Sequence, residues 1–88
     1  MKQVYVITTE RRGHTNTYTG TLDYLVDRCF GYTIECNGYS RNCKSLNTLL
    51  GRLNGGTSYW SISTYYTGRK ATKEEAAAWY DEHKEYKQ

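Results

Sequence analysis

The sequence predicts an α+β protein, a single two-layer domain over residues 1–88 with helices packed on one face of a four-stranded mixed sheet. Three observations predict this class. Segments of alternating, β-branched residues are interleaved with segments whose apolar residues recur at helical spacing. A chain of 88 residues has room for one thin core. The run TKEE reads as a capping box that opens a last helix. The predicted element order is β-β-α-β-α-β-α.

The N-terminal part predicts a β-hairpin followed by a helix. QVYVITT (3–9) alternates and is rich in β-branched residues, and polar RRGHTN (11–16) separates it from a second β-prone piece, so the hairpin has a charged tip. Thr21 is positioned as the N-cap of the helix that follows. That helix carries an apolar stripe at helical spacing, which consists of Leu22, Leu25, Val26, Cys29 and Phe30.

The middle of the chain predicts a strand, a loop and a second helix. GYTIECN (31–37) reads as the strand, with Gly31 ending the preceding helix and Tyr32, Ile34 and Cys36 on its inward face. NGYSRN is the loop, and Asn42 is a candidate cap. The helix ends at NGG (54–56). Its apolar stripe consists of Leu46, Leu49, Leu50 and Leu53.

The C-terminal part predicts a fourth strand and a third helix. SYWSISTYY (58–66) alternates as a strand, and the loop 67–71 follows it. Thr72 and Glu75 then form the capping box, in which each side chain bonds a free amide of the other residue. The face of the helix that packs inward consists of Ala76, Trp79, Tyr80 and His83.

Strand direction predicts where the loops meet. A hairpin reverses the chain and each strand–helix–strand crossover restores its direction, so the last three strands should run alike. The loops 38–43 and 67–71 should then share one end of the sheet, with the hairpin tip at the other. Four candidate binding residues should therefore converge although they are distant in sequence: Tyr39, Arg41, Arg69 and Lys70.

The aromatic and basic residues favour a binding role. Ten tyrosines exceed what so small a core needs, so some should be exposed. Tyr5, Tyr59 and Tyr65 alternate away from the inward positions and could cover the open face of the sheet. Arg11 and Arg12 add positive charge at the hairpin tip. Tyrosine and arginine are enriched at protein–protein hot spots, and they also stack on bases and pair with phosphates.

Catalytic and metal chemistry finds little support in the sequence. Cys29, Cys36 and Cys43 recur every seven residues, whereas zinc sites use closely spaced cysteine pairs. Cys29 and Cys36 fit core positions. Cys43 could be exposed near a helix start, but no neighbouring histidine could serve as its base. We expect no catalytic residue, no metal and no cofactor, and therefore a protein that is not an enzyme.

The cellular setting follows from charge, cysteine content and hydropathy. The net charge of +3 is low for a nucleic-acid binder. No apolar run is long enough to span a bilayer, and the first residues lack the apolar region of a secretory signal. An odd number of cysteines is typical of a reducing compartment. These features predict a cytoplasmic protein that does not bind membranes, with homo-oligomerisation left open.

The region from 21 to 54 resembles a pattern in small phage and prophage proteins. There a hairpin precedes a "TL-acid-x-L" helix, a "YTLE" strand, an Asn/Gly/Ser loop and a "KSL" helix that ends in "LN". The matching pieces here are TLD (21–23), YTIE (32–35), NGYS (37–40), KSL (44–46) and LN (53–54). The resemblance implies a mobile-element origin. Phage proteins of this size include inhibitors that bind host defence machinery, such as anti-CRISPR proteins.

Three functional hypotheses remain after these exclusions. The first is a phage-type inhibitor that binds a host bacterial protein complex, such as a CRISPR-Cas complex, in the host cytoplasm without catalysis. The second is a small nucleic-acid-binding protein that uses the loop residues Tyr39, Arg41, Arg69 and Lys70. The third is a protein that sequesters a nucleotide-like signal molecule between protomers.

Overall fold

The computed structural model describes residues 1–55 and 64–86, which form an α+β arrangement of a three-stranded sheet and helices. The strands are β1 (Val4–Arg11), β2 (His14–Thr21) and β3 (Tyr65–Lys70). The α-helices are α1 (Leu22–Tyr24), α2 (Gly31–Cys36), α3 (Leu46–Gly55) and α4 (Lys73–Glu82). A π-helical segment (Leu25–Phe30) joins α1 to α2, and a 3₁₀ helix (Lys84–Tyr86) follows α4.

The predicted hairpin is confirmed, and its connection is a two-residue turn. Only Arg12 and Gly13 connect β1 to β2, and both have positive φ, 50° and 80° respectively. Two consecutive residues with positive φ form a type I′ turn, whose twist matches that of the flanking strands. Arg11 therefore lies directly opposite His14, and the register continues to Val4 opposite Thr21.

The sheet differs from the prediction of four mixed strands. Its order is β2-β1-β3, and β1 pairs antiparallel with both neighbours. The last strand runs over Tyr65–Lys70, so residues 67–70, predicted as loop, belong to it. Residues 58–63 of the predicted fourth strand lie outside the described residues. Because β2 and β3 both oppose β1, they run alike, as the direction argument required.

The predicted strand GYTIECN is wrong, because this segment is helical. Gly31 does not end the preceding helix; it opens α2 with helical φ and ψ of −56° and −43°. The helix ends at a Schellman motif, in which Tyr39 N–H donates to Ile34 O (2.9 Å) and Gly38 N–H donates to Glu35 O (3.0 Å). Gly38 has φ +81°, so the Asn-Gly pair that reads as a strand-ending turn is a helix C-cap.

The main core lies between one face of the sheet and the helices up to α3. Ile7 of β1 is fully buried there with Leu25, Ile34 and Leu49. Both predicted leucine-type stripes contribute, since every position of the first and of the second is buried or half-buried. Gly68 lies opposite Ile7, and a Cβ atom there would meet the Leu46 side chain at 3.1 Å, so the α3 helix packs closely on β3.

The last helix packs on the opposite face of the sheet, which corrects the prediction that all helices share one face. Val4 points to the other side of β1 from Ile7, because side chains alternate along a strand. Val4 forms a second buried cluster with Trp79 and Tyr80 of α4. The predicted capping box is present, with Glu75 N–H donating to the Thr72 hydroxyl at 3.2 Å.

Several smaller predictions follow from the misassigned strand and are corrected with it. Tyr32 and Cys36 are exposed because they lie one turn apart on the outer side of α2, whereas Cys43 is buried in the main core. Ser45, and not Asn42, caps α3, since the Ser45 hydroxyl accepts a hydrogen bond from Thr48 N–H (3.1 Å). Tyr5 does not cover an open face; it is half-buried against the main core.

Candidate binding surface at the hairpin tip

Arg41 is held by contacts within its own region of the fold. Its guanidinium pairs with the Glu35 carboxylate through Nε–Oε1 (2.8 Å) and a second hydrogen bond of 3.1 Å. It also lies over Gly31, where a Cβ atom would meet Arg41 Nε at 3.0 Å and Val26 O at 2.6 Å. The glycine is therefore needed for close approach. Through these contacts, Arg41 holds the loop that follows α2 against that helix.

Tyr39 and Arg52 complete the same loop attachment. The Tyr39 hydroxyl donates to Gly55 O at 3.3 Å. Arg52 of α3 donates to two loop carbonyls, Ser40 O at 2.8 Å and Asn42 O at 2.6 Å. These contacts give the side chains of the α2–α3 loop a structural role.

Arg69 is paired with Glu75 at the start of α4. Two nearly parallel hydrogen bonds, 2.7 and 2.9 Å long, join the guanidinium to the carboxylate. Glu75 also accepts the Thr72 N–H in the capping box. The Arg69 guanidinium and these hydrogen bonds lower the pKa of Glu75 from 4.5 to about 2. Arg69 is therefore largely neutralised within the fold.

The four loop residues predicted to converge do not form one site. Arg41 pairs with Glu35 on α2, which packs on the main-core face. Arg69 lies opposite Val6 and pairs with Glu75 on α4, which packs on the other face. Lys70 ends β3 opposite Tyr5. The four side chains are separated because residues 31–36 are helical and because α2 and α4 pack on opposite faces of the sheet.

The hairpin tip brings together a different set of the predicted residues. Arg11 and Arg12 are exposed, and neither takes part in an ion pair among the residues that the structure describes. His14 lies opposite Arg11 and is exposed as well. Tyr65 begins β3 opposite Glu10, and 61% of Tyr65 is exposed. Because side chains alternate along a strand, Glu10 and Tyr65 point to one face of the sheet at the tip, and Arg11 and His14 point to the other. We call Glu10, Arg11, Arg12, His14 and Tyr65 the tip surface.

A polar sheet face extends from the tip surface toward α4. The register places Glu10 between Thr15 and Tyr65 in one cross-strand row. The next row on the same face has Thr8 between Thr17 and Thr67. The outer threonines of both rows are exposed. The sequence shows this face as the alternating threonines of β2, a signal that we did not use. Tyr59, the remaining predicted residue, lies outside the described residues.

The described residues offer little for metal or acid–base chemistry. Within residues 1–55 and 64–86, no group of three His, Cys, Asp or Glu side chains could hold a metal ion. A cleft of about 560 Å³ lies between the N-terminus and α4 and contains Asp81 and Lys73 in its lining. The hydroxyl of Tyr80, which also lines it, is already bonded to Lys2 O at 2.7 Å.

Comparisons with protein-family models, curated proteins and solved structures find no match for this chain. The helices in the described part of the chain are all too short or too polar to cross a membrane. The function therefore has to be argued from the tip surface itself.

Proposed function

We propose that this protein is a non-enzymatic, phage-type inhibitor that docks through its tip surface on an acidic patch of a host protein complex. A bacterial defence assembly, such as a CRISPR-Cas complex, is the partner class that the sequence resemblance implies. One observation carries the proposal: Arg12 occupies the positive-φ position of a type I′ turn at the exposed tip.

The conformation of Arg12 is unfavourable for its residue type. Asn, Asp and Gly are preferred where φ is positive, and other L-residues cost roughly 1–2 kcal/mol there. A local rule broken at an exposed position is typical of a functional site, and Arg12 has no compensating ion pair among residues 1–55 and 64–86. Gly13 supplies the second turn position at little cost. The turn itself does not require arginine at position 12, so we infer that arginine is there for its side chain.

The distribution of charge favours a protein partner over a nucleic acid. Neutralising many phosphates requires many cations, and the tip surface has two guanidiniums beside the Glu10 carboxylate. Arg41 and Arg69, which could have extended a phosphate-binding surface, are paired with carboxylates. Arginine and tyrosine are both enriched at protein–protein hot spots, and the tip presents Arg11 on one face of the sheet, Tyr65 on the other and Arg12 at the turn between them.

The test compares the native chain with Arg12→Asn, which suits the turn and removes the guanidinium. Tagged chains are used as bait in lysate of a phage host, and captured proteins are quantified by mass spectrometry. Arg28→Asn is the matched control, because it removes an exposed arginine from the π-helical segment. We expect a protein retained by the native chain and by Arg28→Asn, and about tenfold less of it with Arg12→Asn.

Two outcomes would overturn the proposal. One is capture of the same protein to the same extent by all three chains. The other is a complex with nucleic acid instead, recognised by tight binding to a short DNA or RNA strand that weakens steeply between about 50 and 200 mM salt. The second outcome would return the protein to the nucleic-acid hypothesis.

A further inference from the structure

Among residues 1–55 and 64–86, the outer edge of β2 has no strand partner for the backbone groups of three threonines. Asn54 bonds both Tyr66 N and Tyr66 O, so the main chain of Tyr66 points away from β1. Along an antiparallel strand, successive residues direct their N–H and C=O groups alternately toward one neighbouring strand and toward the other side. The main chain of Thr9, which lies opposite Tyr66, is therefore directed toward β2, where it hydrogen-bonds to the main chain of Asn16. Alternate residues of β2 consequently direct their N–H and C=O groups outward, away from β1: Thr15, Thr17 and Thr19.

This edge lacks the features that usually protect an edge strand. The sequence of β2, HTNTYTGT, contains no proline, lysine or carboxylate, and its pairing with β1 is unbroken over eight residues. Residues 14–17 are exposed. Within residues 1–55 and 64–86, no strand pairs with the outer side of β2. The opposite edge of the sheet is different, because the Asn54 amide covers β3 at Tyr66.

We propose that two copies of this chain pair antiparallel through their β2 edges and form one continuous six-stranded sheet. The edge is self-complementary when the two-fold axis passes beside Thr17. Thr17 then faces its own copy, and Thr15 faces Thr19 of the other chain. The result is a row of threonine pairs without like charges, and cross-strand threonine pairs are favourable. The isologous pairing is closed because each copy uses its single β2 edge, and Asn54 occupies the other edge of the sheet at Tyr66.

Charge supports the same register. Each hairpin tip, with Arg11 and Arg12, extends past the Thr19 end of the other copy's β2. Glu82 borders the same surface cleft as Thr19, so the basic tip approaches a carboxylate of the other chain. The two tip surfaces face opposite ends of the assembled sheet.

The first experiment measures mass against concentration by sedimentation equilibrium for the native chain, Thr17→Lys and Thr67→Lys. Two lysines facing each other across the axis repel, so we expect Thr17→Lys to be monomeric at concentrations where the native chain is a dimer. Thr67→Lys introduces the same charge on β3, away from this edge, and should dimerise like the native chain. A native chain that is monomeric at millimolar concentration, or a Thr17→Lys chain that still dimerises, overturns the proposal.

The second experiment tests the register with single cysteines in a Cys36→Ser background, which removes the exposed thiol. Residues that exchange both hydrogen bonds have Cα atoms about 5.5 Å apart, within disulfide range. Thr17→Cys should therefore form a covalent dimer on mild oxidation, whereas Thr15→Cys, which faces position 19, should not. Equal crosslinking of both variants, or of neither, overturns the proposed register. Both measurements are independent of whether a host partner binds.

Discussion

The side-chain amide of Asn54 hydrogen-bonds both main-chain polar groups of Tyr66. Asn54 Nδ2 donates to Tyr66 O at 2.7 Å, and Tyr66 N–H donates to Asn54 Oδ1 at 2.8 Å. The amide thus takes the place of a neighbouring strand at this edge of the sheet. It ties the last turn of α3 to the beginning of β3, on either side of residues 56–63.

Replacing Asn54 tests that connection. We expect Asn54→Ala to lower the free energy of unfolding by about 1–3 kcal/mol, because two hydrogen bonds of about 0.5–1.5 kcal/mol each are lost. Urea denaturation measures the change. Asn47→Ala, at an exposed position of the same helix, is the control and should be neutral or slightly stabilising. Equal effects at both positions would show that the Asn54–Tyr66 contact contributes nothing.

Replacement of two helical glycines by alanine should change the stability of the fold in opposite directions. Gly31→Ala places Cβ against Val26 O and the Arg41 guanidinium, so we expect a loss of about 1–3 kcal/mol of stability. Gly51→Ala meets nothing within 4 Å and should gain about 0.5–1 kcal/mol, because alanine favours a helix. Thermal unfolding of the two variants checks both signs. A stabilising Gly31→Ala would contradict the close contact with Arg41.

Replacement of Arg12 by a residue that suits positive φ should increase the stability of the fold. Arg12→Asn should raise the free energy of unfolding by about 1 kcal/mol, because asparagine accepts positive φ more readily. Urea denaturation of the native chain and this variant provides the value. Arg11→Asn, in the strand beside it, should give no such gain. If Arg12→Asn is destabilising instead, the arginine contributes to the fold and the functional argument fails.

The Arg69–Glu75 pair predicts a pH dependence with a defined sign. Folding lowers the pKa of Glu75 from 4.5 to about 2, so the pair stabilises the fold fully above pH 4.5. This stabilisation is lost as the pH falls through about 2. Glu75→Gln should therefore be less stable than the native chain near neutrality, and the two should converge at low pH. Glutamine still completes the capping box.

Denaturation curves between neutral pH and pH about 2 check the convergence. Glu74→Gln is the control, since it removes a charge from the same helical turn without removing the partner of Arg69. A stability difference between native and Glu75→Gln that stays constant over this range would show that the ion pair does not account for it.

The parts of the fold governed by local patterns could be predicted from the sequence. Both apolar stripes, the Thr21 cap, the Thr72–Glu75 capping box and the hairpin were confirmed. In each case a repeat or a short motif specifies the structure through neighbouring residues alone. The direction of β2 and β3 agrees with the prediction although the intermediate strand that it assumed is helical, so this agreement does not come from a local pattern.

The failures arose where a short segment fitted two structures equally. YTIE alternates like a strand, yet a helix over Gly31–Cys36 is favoured because the helix before it continues and Gly38 provides a Schellman cap. The side of the sheet on which α4 packs has no local signature either. Both errors placed Arg41 and Arg69 in one predicted site, whereas the structure places them on opposite faces of the sheet.

The central claim, that Arg12 is held in an unfavourable conformation to bind a host defence complex, is tested most directly in cells. The measurement is the plating efficiency of a phage on strains that carry different active defence systems, CRISPR-Cas among them, with the native chain or Arg12→Asn expressed equally. We predict that the native chain restores plating on at least one strain and that Arg12→Asn does so about tenfold less or not at all. Equal restoration by both chains, or restoration by neither on any strain, would contradict the account.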